Sequence, residues 1–329
     1  MPQISIPYAV GRVRMISQQA LDTGKLNRLV AAKTYDDAKR TLSEIGWGGV
    51  QGKDDEQLSI EYVEQAYELV KKITPAEKIT DCFLIRYDIH NIKTLIKARE
   101  LKIKVEFLSN SGMIPLGVLE HAINERVYEG LGETVLTTTL NNLEEILAKG
   151  FDPFAVDTAL DQGMYQIVFD RLKIGKAKGA VRNYFVAKVD LVNVVILLRS
   201  VNMKKEVSFF QEAWVPFGTF SWEQWKSFYE EPEKMISAME KYGEKVTYAL
   251  RAAVKNAAQL PMFEKAIDNH LLTFFLPYQR DVQALEAFLG YLLQVEREAA
   301  AIRLVMAAKA NDFSAEALQE RMRDLYGQP

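Results

Sequence analysis

The 329-residue chain holds a single cysteine, Cys82. One thiol cannot close an intramolecular disulfide, so no disulfide framework is expected, and this usage fits a reducing compartment. Histidine is nearly as scarce. His90, His121 and His270 stand far apart without ligand spacing, so no zinc site is expected. No charge of one sign dominates: Lys and Arg number 41 against 44 Asp and Glu, a net charge of −3. That balance excludes a nucleic-acid binder acting through overall charge, although local basic stripes remain open. The most apolar runs, VDLVNVVILL and LLTFFLPY, are too short or too polar to span a bilayer. The start, MPQISIPYAVGRV, lacks the apolar stretch of a signal peptide. A phosphate loop is missing too. GWGGVQGKDD comes nearest, but Trp47 stands where a glycine is needed and Asp54 where the magnesium-binding hydroxyl is needed, so it reads as a turn. Strand-like alternation is nearly absent, which leaves an all-α protein.

What is present is helix, and much of it is apolar. Hydrophobic residues make up 48% of the chain, and its length exceeds what one core usually serves, so two or three domains are expected. The stretch Thr74–Leu101 organises the rest. Thr74, Pro75 and Glu77 spell a capping box with proline in the first turn, and no later glycine or proline interrupts the helix. At 100° steps Arg86, His90, Lys93, Lys97 and Glu100 share one narrow stripe. Nearly all the remaining circumference is apolar, the mark of a mostly buried helix. Asp88 and Asn91 break that apolar arc, one turn apart on the same side.

The pattern returns. Asp190 and Asn193 repeat Asp88 and Asn91 at an offset of 102 (190 − 88), with Phe185 matching Phe83, Lys188 matching Arg86 and Arg199 matching Lys97. A third copy is weaker. There Glu298 takes the aspartate position, Ala301 the asparagine position, Arg303 the Lys93 position and Glu296 the Arg86 position. Ile114-Pro115-Leu-Gly117 is echoed by Val215-Pro216-Phe-Gly218, and Asp157 and Asp161 by Glu264 and Asp268. Ser221 and Gln224 form a capping box, Asp152-Pro153 opens a helix, and Ser314 caps another. Internal repetition at this period predicts three helical domains, 1–105, 106–210 and 211–329, related by about a threefold rotation.

A carboxylate and an amide on one helix could be an acid and its orienting partner. A catalytic pair is needed once, however, and this one recurs. Burying a carboxylate costs several kcal/mol unless it is paired and hydrogen-bonded. Asp88, Asn91, Asp190, Asn193 and Glu298 are therefore read as buried polar residues holding helices or loops. The four tryptophans, Trp47, Trp214, Trp222 and Trp225, are read as core. No catalytic, cofactor or metal residue is assigned.

Three segments, YAVGRVRMISQQALDTGKLNRLV, FLIRYDIHNIKTLIKARE and GYLLQVEREAAAIRLVMAAK, resemble the C subunit of the prokaryotic V/A-type ATPases, the counterpart of the eukaryotic d subunit. The resemblance covers essentially the whole chain, and the departure is Ala301 where an asparagine is expected. It implies three similar domains arranged as a funnel. It also implies a non-catalytic rotor part, peripheral on the cytoplasmic side of the membrane. Such a part seats on the ring of proteolipid subunits, receives the D and F proteins of the central shaft, and transmits torque for ATP-coupled H⁺ or Na⁺ transport. No cofactor and no nucleic-acid partner are implied. On that reading Arg86, Lys93, Lys97, Lys188 and Arg199 are candidates for the shaft interface, and Glu296 breaks the symmetry of charge. The competing class is a free α-helical repeat scaffold for other proteins.

Overall fold

The computed structural model describes residues 4–18, 20–47, 55–105 and 107–327. The loop GWGGVQGKDD lies largely outside the described residues. Every regular element among those described is helical. In chain order the helices are α1 (Ile6–Ser17), α2 (Thr23–Val30), α3 (Tyr35–Glu44), α4 (Asp55–Ile73), α5 (Glu77–Leu101), α6 (Leu116–Glu125), α7 (Thr134–Leu147) and α8 (Pro153–Ile174). There follow α9 (Gly179–Asn202), α10 (Val207–Ala213), α11 (Trp222–Glu230), α12 (Pro232–Ala238), α13 (Glu244–Lys255), α14 (Leu260–Leu272), α15 (Leu285–Ala310) and α16 (Ala315–Arg321). The chain divides into two compact units, one of Met1–Pro75 with Ile236–Pro329, the other of Ala76–Met235.

In the first unit α15 lies against α4, α1 and α3, while α13 pairs with α14. Leu26, Leu29, Leu42 and Leu58 meet Ile302, Val305 and Met306 in its core. Trp47 stacks on Tyr62 with ring centres 4.0 Å apart. In the second unit α8 lies between α5 and α7. Phe83 and Phe185, equivalent positions of the repeat, touch edge to face at 5.0 Å. Trp225 is fully buried, and Phe210, Phe220 and Phe228 surround it. Edge-to-face contacts of this kind add to the gain from area burial.

The helix ends follow local chemistry. Asp152 accepts from the Phe154 amide at 2.9 Å, Ser314 from the Ala317 amide at 3.1 Å, and Ser221 with Gln224 closes a reciprocal capping box. The start of α5 departs from expectation. Its first residue is Glu77 and its cap is Ala76, which makes no side-chain capping bond. The capping box read at Thr74 would have started the helix at Pro75. Ala76 has a non-helical backbone, with φ of −143° and ψ of 71°, so the regular turn begins only after it.

The ends of the three long helices carry a repeat that residue types conceal. Lys102, Lys204 and Asp312 all adopt the left-handed conformation, with φ of 55°, 54° and 52°. Their spacings (204 − 102 = 102 and 312 − 102 = 210) equal those from Asp88 to Asp190 and to Glu298. The next amide closes back on the helix in each case: Ile103 to the Ala98 carbonyl, Lys205 to Ser200 and Phe313 to Ala308, at 3.1, 3.0 and 2.9 Å. A side chain in that conformation costs about 1–2 kcal/mol, which the recovered cap bonds offset.

Candidate functional site

The sequence points to the polar residues of the long helices, and the structure buries them. Asp88, Asn91, Asp190 and Asn193 have no solvent-exposed surface, and Glu298 keeps 2%. Apolar neighbours fill the rest of these helix faces, so the polar atoms must find partners within the protein.

The first pair grips the loop after α5. The Asn91 side-chain amide donates to the Ser109 carbonyl at 2.8 Å, and the Ser109 amide donates back to Asn91 Oδ1 at 3.0 Å. Met113 and Ile114 donate their amides to Asp88 Oδ2 and Oδ1, at 2.9 and 3.0 Å. One helix face thus fixes a whole loop turn. The second pair repeats this beyond α10. Asn193 exchanges the same two bonds with Val215, at 2.8 and 2.9 Å, and Asp190 accepts from the Thr219 amide at 2.7 Å. Charge-assisted bonds from backbone amides are among the stronger hydrogen bonds of a protein.

Each loop needs one glycine. A Cβ built on Gly112 would stand 2.1 Å from Asp88 Oδ1, and one on Gly218 would stand 2.1 Å from Asp190 Oδ1. These two are the matching glycines. The sequence paired Gly218 with Gly117 instead, through the shared Pro-x-Gly. Gly117 lies inside α6 with nothing near its missing Cβ. Helix α10 intervenes between α9 and its loop, which shifts the loop register by four residues relative to the helices (218 − 112 = 106 against 190 − 88 = 102).

The third copy uses other partners. Glu298 accepts from the Tyr62 hydroxyl at 2.7 Å and from the Gln294 side chain at 2.9 Å, and it takes a backbone bond from Leu21. A neighbouring Ala301 offers no amide, and Tyr62 of α4 supplies polar contact in its place. Burial pushes the Glu298 carboxyl above the usual range against the pull of these bonds. A raised native pKa means that the contribution of Glu298 to stability is fully present below the unfolded pKa and is lost as pH rises through the native one. Wild type should therefore gain on Glu298→Gln as pH falls from 7 to 5, read from urea midpoints of both proteins at each pH. A difference independent of pH would remove Glu298 as the titrating group.

The basic stripe is engaged within the second unit. Lys93 reaches Asp161 at 2.7 Å and Lys97 reaches Asp157 at 2.8 Å, joining α5 to α8. Burial raises the Asp161 carboxyl while Lys93 opposes that shift. Arg86 lies over the Tyr87 ring at 4.8 Å, and Lys188 stands 6.0 Å from the centre of the Tyr184 ring. Glu296, at the Arg86 position of the third copy, accepts a bond from Tyr67. The Asp157 and Asp161 side chains are 43% and 47% exposed, so solvent screens the lysine pairs. Lys93→Met with Lys97→Met should cost only about 1 kcal/mol in unfolding free energy, less at high salt.

Sequence reasoning missed the most buried cation among the described residues. The Arg171 side chain is 8% exposed and holds Asp81 at 3.0 Å together with Glu133. Burial raises the Asp81 carboxyl, and the Arg171 charge pulls it back. Its signal was available: an arginine and an aspartate on the apolar faces of two long helices. Among the described residues no three side chains are grouped as metal ligands would be.

The model of the ATP synthase (C/AC39) subunit family matches residues 9–321. The chain belongs to this family. The C subunit of the V-type sodium ATPase of Enterococcus hirae is 23% identical over 274 residues, 79% of this chain and 79% of that protein. The C subunit of the A-type ATP synthase of Methanocaldococcus jannaschii is 26% identical over 219 residues, 59% of this chain and 54% of that protein. The C/AC39 match and both relatives mark the chain as the C subunit of a V/A-type ATPase, one component of a larger complex. Among the described residues no helix is long and apolar enough to cross a membrane.

Proposed function

We propose that this protein is a non-catalytic part of the rotor, joining the D and F proteins of the shaft to the membrane ring of proteolipid subunits. It transmits torque between ATP chemistry and H⁺ or Na⁺ transport, and it sits peripherally on the cytoplasmic side. The observation that carries this reading is the family match across residues 9–321. The repeated loop anchors support it, because a torque-bearing part must not yield. Fixing a loop to a buried carboxylate and a buried amide removes the freedom that loops otherwise keep. Three helical domains, 1–105, 106–210 and 211–329, arranged as a funnel, belong to the same proposal.

Arg86, Lys93, Lys97, Lys188 and Arg199 are the proposed shaft-facing cations. Lys93 and Lys97 also hold α8, so reversing their charge would disturb the fold and the interface together. Lys188→Glu separates the two effects. The test is affinity of the full chain for an isolated complex of D and F, at low and moderate salt. Binding that weakens in Lys188→Glu at low salt, with unchanged melting, supports the assignment. No binding of D and F by the wild-type chain would overturn the shaft reading.

A further inference from the structure

A second feature of the Ala76–Met235 unit lies at the turn between α8 and α9. From Arg171 to Val189 the sequence contains six basic residues and no acidic one. Four of them, Lys173, Lys176, Lys178 and Arg182, line one concavity of about 570 Å³ floored by Phe169 and Leu172. No carboxylate is among the lining residues. Arg171 directs its charge to Asp81 and Glu133. The four lining cations make no ion pair with any described residue.

The turn that displays these cations is tightly built. The Gly175, Lys176 and Ala177 amides close back on the Arg171, Lys173 and Leu172 carbonyls at 2.7, 3.1 and 2.9 Å. Lys176 takes a left-handed conformation, with φ of 52°. A Cβ on Gly175 would lie 2.9 Å from Ile79 Cγ1, so the turn is pressed onto α5. The backbone thus holds four like charges around one hollow, where they repel unless something neutralises them. A multiply charged anion would relieve the repulsion and accept charge-assisted bonds from several of them.

We propose that this concavity binds a phosphate group. The site does not depend on the shaft reading, since none of its residues belongs to the proposed shaft-facing set. Two sources share the chemistry, an anionic phospholipid headgroup and a free phosphorylated compound. Both fit a hollow of this size. Ile174, 65% exposed in the same turn, offers an apolar side chain that a lipid surface could accept.

The experiment uses the full chain and two probes. Inorganic pyrophosphate is titrated calorimetrically, and vesicles of phosphatidylcholine with and without phosphatidylglycerol are used in sedimentation. The comparison variant is Lys173→Gln, Lys178→Gln, Arg182→Gln; Lys176 is kept because of its backbone conformation. Wild type should bind pyrophosphate, and the variant should bind it at least roughly tenfold more weakly. The variant should melt no lower than wild type, since it loses repulsion. Sedimentation only with phosphatidylglycerol, reversed by pyrophosphate, would assign the site to a headgroup. Pyrophosphate binding without sedimentation would assign it to a free phosphate compound. The proposal is overturned if wild type binds neither probe, or if the variant binds both as wild type does.

Discussion

Arg171→Met should destabilise the protein by about 3–5 kcal/mol, the usual consequence of removing one partner from a buried ionic cluster. Methionine fills much of the same space, so the loss is electrostatic and not a cavity. Asp81, with its side chain 14% exposed, would stay largely shielded from water, Glu133 less so, and both would lose their cation. The Asp81 carboxyl, already raised by burial, would rise further without Arg171. A carboxyl whose native pKa is raised loses its stabilising contribution as pH rises through that pKa, so the deficit should be larger at pH 7 than at pH 5. Adding Asp81→Asn should recover part of it, because the orphaned charge is then gone. Urea unfolding of the three proteins at both pH values measures each point. A loss below about 1 kcal/mol at pH 7, the size of an exposed pair, would mean that solvent enters the cluster.

Gly112→Ala comes next, at about 3 kcal/mol. The added methyl would fall on Asp88 Oδ1 and lie 3.1 Å from the Asp88 backbone nitrogen. Asp88 cannot retreat without giving up the Met113 and Ile114 amides, which would then lose their acceptor. Gly218→Ala should behave alike, since its methyl meets Asp190 Oδ1 and lies 3.3 Å from Val189 Cγ1. Gly117→Ala is the contrast. It lies inside α6 with open space around it, so the same chemical change should stabilise by about 0.5–1 kcal/mol through helix propensity. Thermal unfolding of the three variants settles the order. Equal effects at Gly112 and Gly117 would show that the loop is not pressed against Asp88.

The helices and their polar residues were legible because burial imposes a strict pattern on a long helix. Asp88, Asn91, Asp190 and Asn193 stand out where the neighbours on the same face are apolar. Their partners were not legible, since those partners are backbone amides that any residue supplies. The matching glycines were hidden for a related reason. Short Pro-x-Gly motifs recur by chance, and α10 moved the second loop out of register. The three left-handed helix ends escaped notice because they carry Lys102, Lys204 and Asp312, not the expected glycine. The Lys93 and Lys97 pairs with α8 depended on tertiary packing, which an exposed-looking stripe does not reveal.

The central claim is that this chain links two partners of a rotary ATPase, and one bridging measurement tests it. A detergent-solubilised proteolipid ring is immobilised, the purified complex of D and F is added, and its retention is measured with and without the chain. The account predicts that D and F stay on the ring only when the chain is present, in equal amounts with it. Retention of D and F that is the same without the chain, or a chain that binds neither ring nor shaft, would contradict it.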